Sequence, residues 1–221
     1  MTIHHHPDDD LLVDLAAGAL GAGRALVLTV HLDHCSHCRE RLHALQALGG
    51  ALLEDTEPMA LDAGAWVRTL ERIDALPGQD VRPGRRPAAA WRAPLPDGLE
   101  LPASLRGCGS TPWRWGGPGV KFSRVQVAAE PDGSVFLLRI GAGRSLPRHS
   151  HGEVEFTQVL CGGFADGRAS FEPGDFDAAD DSVLHQPVVG PDRECVCLAY
   201  LSAPLRFEGK LASLMGGLIG L

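Results

Sequence analysis

The chain has 221 residues, with 28 acidic against 20 basic side chains and a net charge of −8. That length allows one large domain or two small ones, and the acidic balance excludes direct nucleic-acid binding, which needs a basic surface to meet phosphates. No run of about eighteen apolar residues occurs, so a membrane-spanning helix is excluded as well.

Residues 8–76 read as helices. Leu11, Leu12, Leu15, Ala16 and Ala19 keep helical spacing behind Asp8, Asp9 and Asp10, whose charges suit a helix N-terminus, and Gly18, Gly21 and Gly23 mark the exit. Leu26, Val27, Val30 and His34 place a second helix over 25–34. Leu42, Leu45, Leu48 and Leu52 place a third over 39–53, weakened near its end by Gly49 and Gly50. Leu61, Ala65, Leu70 and Ile73 place a fourth over 60–76. Prolines and glycines crowd the next stretch, so the chain divides into a helical domain (1–78), a linker (79–97) and a second domain (98–221). In that second domain, 120–128, 135–140, 154–160 and 195–201 are apolar, β-rich segments. Turn signals such as Pro131-Asp132-Gly133, Ala165-Asp166-Gly167 and Pro173-Gly174-Asp175 lie between them, the pattern of a small sandwich or barrel. Trp113 and Trp115 are expected in a hydrophobic patch, and the apolar, Gly-rich 210–221 is compatible with a terminal helix.

Nine of the ten histidines fall in two clusters. The first holds His4, His5 and His6 near the N-terminus together with His31, His34, Cys35, His37 and Cys38, with H-x3-C-x2-C running from His31. On one continuous helix, positions i, i+4 and i+7 lie within about 60° of each other, so His31, Cys35 and Cys38 would share a face; a turn before Cys35 would still let both sulfurs pinch one ion. Thiolate with imidazole favours tetrahedral zinc, and four protein ligands make a structural site with no activated water. The fourth ligand must come from His6, His4 or His5. A thioredoxin-like redox pair fits poorly, because that motif belongs beside a β-α-β unit. Six cysteines outside a small secreted framework, and an N-terminus unlike a signal peptide, point to a reducing, cytoplasmic setting.

The second cluster is His149-Ser-His151-Gly-Glu153-Val-Glu155, with His185 further on. Alternate strand positions put His149, His151 and Glu155 on one face, and His185 reaches them from a neighbouring strand. Glu153 is the rival carboxylate, expected to be solvated, as are Arg144 and Arg148. Three imidazoles and a carboxylate suit zinc, iron, manganese or nickel. Cys195 and Cys197 would face the same side of a strand, either as small core residues or as a redox pair. Cys108 and Cys161 read as inert.

The first cluster, in a short helical module, resembles the zinc-containing anti-sigma domain. That resemblance implies zinc on His6, His31, Cys35 and Cys38, and a fourth helix contributing to a sigma-factor contact. Gly143, His149, His151, Glu155 and Gly162 match G-x5-H-x-H-x3-E-x6-G, which resembles the first cupin motif. Gly167, Pro173, Gly174 and His185 resemble the second, with a longer spacing before the histidine. In this order the two resemble the ChrR-type anti-sigma factors. The fold implied is α+β and multi-domain: a helical zinc-binding bundle followed by a cupin β-barrel or jelly roll. The function implied is non-enzymatic sequestration of an extracytoplasmic-function (group IV) sigma factor as a heterodimer, released on oxidative stress, with singlet oxygen the associated signal. The helical module is expected to suffice for binding and the barrel to serve the response. The rival is a cupin dioxygenase or isomerase with a zinc-stabilised helical cap.

Overall fold

The computed structural model describes residues 2–76, 90–127 and 133–207; the expected terminal helix and residues 79–89 of the expected linker lie outside them. Helix α1 (Asp9–Ala17) stops where Gly18 turns left-handed (φ 68°) and sends its N–H back to Asp14 and Leu15, a conformation glycine adopts without steric cost. Helix α2 (Ala22–His34) begins three residues earlier than its apolar spacing suggests, with Gly23 buried in its first turn. Cys35 then adopts an extended conformation (φ −106°, ψ 107°), so 31–38 is not one continuous helix. The turn before Cys35 is what occurs, and α3 (Ser36–Glu54) starts immediately after it. Gly49 and Gly50 do not end α3 early. Helix α4 (Ala65–Asp74) is shorter than 60–76, since Asp62 accepts the Gly64 N–H and pairs with Arg68 ahead of it.

Among the described residues, a 3-10 turn (Ala103–Leu105) precedes thirteen strands: β1 (Gly109–Ser110), β2 (Arg114–Gly117), β3 (Val120–Gln126), β4 (Ser134–Ile140), β5 (His149–Ser150), β6 (Glu155–Cys161), β7 (Phe164–Ala165), β8 (Ser170–Phe171), β9 (Phe176–Ala179), β10 (Leu184–His185), β11 (Val188–Val189), β12 (Cys195–Leu201) and β13 (Arg206–Phe207). The main sheet runs β1-β3-β4-β12-β6-β9, with β2 on β3; β10-β5-β13 and β11-β7-β8 form two smaller sheets. All the pairings are antiparallel, and the long strands fall close to where β-branched and aromatic residues put them.

Strand alternation gives the main sheet two apolar faces. Val159, Cys195 and Cys197 join Val120, Ile140, Phe164 and Phe171 in the barrel interior. Phe156, Leu160, Val196, Leu198 and Tyr200 face the other way and form one core with Val27, Leu28 and Val30 of α2. The two halves therefore share a core instead of being separate bodies on a linker. Residues 90–97, assigned above to the linker, also belong to it: Ala93 is buried there, Trp91 and Leu95 pack beside it, and the Arg92 and Ala93 N–H groups donate to Ser110 Oγ. Asp33 of α2 accepts from both the backbone N–H and the hydroxyl of Ser104, and Arg24 lies 5.6 Å over the Tyr200 ring. Trp113 packs on this core, but Trp115 is exposed.

Candidate metal centres

The first group assembles around the break between α2 and α3. His31 comes from the last turn of α2, Cys35 from the break, Cys38 from the first turn of α3. His6 arrives from the segment ahead of α1. The His6 Nδ1 lies 3.4 Å from each sulfur, and His31 Nε2 lies 3.3 Å from Cys38 Sγ. Ligands of a tetrahedral zinc, at Zn–N near 2.05 Å and Zn–S near 2.3 Å, stand about 3.5 Å apart, so these four atoms can hold that ion. His6 rather than His4 or His5 meets the sulfurs. His34 and His37 do not join the group of His6, His31, Cys35 and Cys38.

The surroundings favour a cation. Burial, with help from Cys35, pushes the Cys38 thiol up to about 12, so a positive ion must supply the charge that removes its proton. The opposite holds for His31: burial drives its imidazole down to about 4, against the hydrogen bond it donates to Gln158, and keeps it in the neutral, ligating form. Cys35 sits at the start of α3 and its sulfur accepts the Cys38 backbone N–H at 3.4 Å. Leu12, Leu32, Leu42 and Leu45 close over the two sulfurs.

The second group lies inside the barrel. His149 and His185 are directly opposite in the β5–β10 register, with His149 Nε2 and His185 Nε2 3.2 Å apart. The His149–His151 pair keeps the parity read from sequence, but Glu155 is not on that strand. The chain bends after His151, and Glu155 opens β6 in the main sheet. His149, His151, Glu155 and His185 nonetheless converge. Glu153 is exposed, as are Arg144 and Arg148. Gly162 of the motif has φ 71°, and a Cβ there would lie 2.0 Å from the Glu194 carbonyl oxygen, so only glycine fits.

Each of these imidazoles donates its Nδ1–H outward: His149 to the Pro147 carbonyl (2.8 Å), His151 to that of Asp180 (3.3 Å) and His185 to the Asp166 carboxylate (2.9 Å). Every Nε2 is then an unprotonated lone pair turned to the centre. Two such lone pairs at the distance seen cannot hydrogen-bond each other, whereas cis ligands of an ion at about 2.1 Å stand about 3.0–3.4 Å apart. His151 Nε2 and Glu155 Oε2 are in contact yet, among the described residues, are buried without hydrogen-bond geometry to any group, again the aim of atoms at a shared ion. Burial lowers the His149 pKa. It opposes protonation of His151 too, but Glu155 outweighs it and raises that one; burial likewise works to raise the Glu155 pKa, and the three histidines overcome it and hold it down.

Sequence reasoning missed the supports. Asp166 was read only as a turn residue. Its carboxylate has no exposed surface and accepts from His185, from Arg168 Nε and NH2, and from the Arg168 and Ala169 backbones. Arg168 also pairs with Asp177. Cys195 and Cys197 do face one side of β12 with sulfurs 3.5 Å apart; the hydrogen bond with Cys195 and burial hold the Cys197 thiol well above its usual value.

A helical metal-binding module packed on a cupin-type barrel is thus the class that fold and sites define. Residues 105–203 match the ChrR cupin-like domain family. The chain is 38% identical over 215 residues, 97% of each chain, to the anti-sigma-E factor ChrR of Cereibacter sphaeroides. It is also similar to the chain in the crystal structure of Rhodobacter sphaeroides SigE in complex with the anti-sigma ChrR, with TM-score 0.67 and 35% identity over 90% of this chain and 100% of that one. The chain belongs to the ChrR family of anti-sigma factors, which are regulators, and the dioxygenase or isomerase alternative lapses. Among the described residues no single helix is long and apolar enough to cross a membrane.

Proposed function

We propose that this chain sequesters an extracytoplasmic-function sigma factor in a one-to-one cytoplasmic complex and releases it on oxidative stress, singlet oxygen being the signal, sensed through the barrel. His6, His31, Cys35 and Cys38 hold a structural zinc that orders the helices. His149, His151, Glu155 and His185 hold a second divalent metal, zinc, iron, manganese or nickel, in the sensing half. The family membership supports the sigma-binding role.

The observation that carries the reading is α4. Trp66, Leu70 and Ile73 follow helical spacing on one side with Val67 beside them, yet they are 71%, 41%, 56% and (Val67) 55% exposed, and no residue of α4 is buried. Such a stripe costs solvation energy unless a partner covers it. Leu48, Leu52 and Leu53, towards the end of α3, are exposed as well. Acidic residues near the N-terminus and the net charge of −8 complement the basic face with which a sigma factor meets DNA.

Release requires that the oxidised state bind sigma less well than the reduced one. The Cys197 thiol, buried and protonated, is a poor first target for an oxidant, which favours the barrel metal and its ligands as the point of attack. The test is co-expression with candidate sigma factors. A stoichiometric complex that weakens at least tenfold on Trp66→Ala supports the reading; failure of every group IV sigma factor of the host to be retained by zinc-loaded protein overturns it.

A further inference from the structure

The zinc-ligand histidines of the N-terminal module are both anchored by the barrel. The His31 Nδ1–H donates to Gln158 Oε1 at 3.0 Å, and neither residue has exposed surface. Gln158 is itself fixed, because its amide nitrogen donates to the Val159 carbonyl, leaving the oxygen as the group presented to His31. A hydrogen bond to Nδ1 sets the tautomer with Nε2 unprotonated, and Nε2 is the nitrogen beside Cys38 Sγ. His6 is held differently, through its chain. The His4 and His5 N–H groups donate to Asp175 Oδ1 at 2.7 and 3.0 Å, the Phe176 N–H donates to the His5 carbonyl, and the His5 ring lies 4.7 Å from that of Phe171. The other Asp175 oxygen accepts the Glu172 N–H of its own turn. Residues 4–6 are thereby strapped to the start of β9, with His6 directed at the sulfurs.

We propose that Gln158 and Asp175 are positioning residues for the N-terminal zinc: the barrel sets the tautomer of one ligand and the path of the other, so zinc retention in the sigma-binding module depends on the barrel. Gln158 lies three residues along β6 from Glu155 of the second centre, and on the opposite face. Strand β6 therefore contributes directly to both sites, and a shift of β6 that disturbs one alters the other.

The inference rests on the reading of His6, His31, Cys35 and Cys38 as zinc ligands. That reading is checked separately, since Cys35→Ser with Cys38→Ser must lose one zinc per chain. The positioning role is tested on the full zinc-loaded chain by following zinc release to a chromophoric chelator. Gln158→Met, of similar shape but without the acceptor, should release zinc about 10- to 100-fold faster. Gln158→Glu, which keeps an acceptor, should stay within roughly threefold of the unaltered chain, far less than that accelerated release. In metal-free protein the nitrogen-15 shifts of the His31 ring should report a single Nδ1–H tautomer, and a mixture in Gln158→Met; a purely packing role would leave the tautomer unchanged. Release from Gln158→Met at the unaltered rate, or equal acceleration in the Met and Glu variants, overturns the proposal. Should Gln158→Met lose its barrel metal through misfolding, Asp175→Ala decides in its place: faster zinc release supports the strap, and an unchanged rate overturns it.

Discussion

Leu28 of α2 tests whether the helices and the barrel are one folding unit. It is fully buried in the core that includes Phe156, Leu198 and Tyr200. Leu28→Ala removes three buried carbons, each worth roughly 0.8 kcal/mol, and the cavity raises the loss from about 2.4 to about 3–4 kcal/mol. Urea unfolding of the metal-loaded protein should be followed by helical circular dichroism and by the fluorescence of Trp91 and Trp113, which pack on the shared core. Both signals should move together, and the substitution should shift both by the full amount. Two resolved transitions, only one sensitive to Leu28→Ala, would refute the shared core. So would a loss below about 1 kcal/mol, the scale of a site open enough to collapse or to be wetted. The same packing bears on the expectation that the helical module acts alone. A fragment ending before the barrel would leave Val27, Leu28 and Val30 uncovered, so it should bind sigma factor when co-expressed yet be far less stable when purified free.

Replacing Cys35 and Cys38 with serine should abolish zinc at the first centre and sigma capture with it; a doubly substituted protein that stays folded and still represses would contradict the structural role of that site. Asp166→Asn removes the charge that orients His185, and the barrel metal should bind about 10- to 100-fold more weakly in a competition titration, with zinc at the first centre unaffected. The metal-free protein should lose stability in acid through His31. An unfolded chain takes up a proton near 6.5 that the folded one refuses until about 4, so the contribution present above 6.5 is lost as pH falls through that interval, about 3 kcal/mol in all. Denaturation of metal-free protein and of His31→Asn checks this: the advantage of the unaltered chain should shrink by that amount between neutral pH and about 4.

Much of the candidate site was legible because ligand chemistry is confined to few residue types at fixed spacings. H-x3-C-x2-C and H-x-H-x3-E each name their residues, and His185, expected on a strand neighbouring that of His149, lies opposite it in the β5–β10 register. The parity argument that placed Glu155 on the same strand was wrong about the backbone and right about the destination, since the bend after His151 is a feature of barrel closure that alternation does not encode. Supporting residues were hidden for a different reason. Glutamine in Phe156-Thr157-Gln158-Val159-Leu160 and aspartate in a turn carry no spacing signal, and their partners are distant in the chain, 127 residues away for Gln158 and His31. The linker reading failed at 90–97 because proline and glycine report the absence of helix or ladder, not the absence of packing. Ala93 is buried all the same.

The alternation along β6 also restricts how this chain can vary over time. Deleting or inserting one residue between Glu155 and Gln158 would exchange inside for outside over the rest of the strand, aiming an amide at the barrel's histidine cluster or an aliphatic chain at His31. Length changes among related chains should therefore gather in the connecting turns, and the interval between these two positions should stay at three residues wherever both ligand clusters are kept.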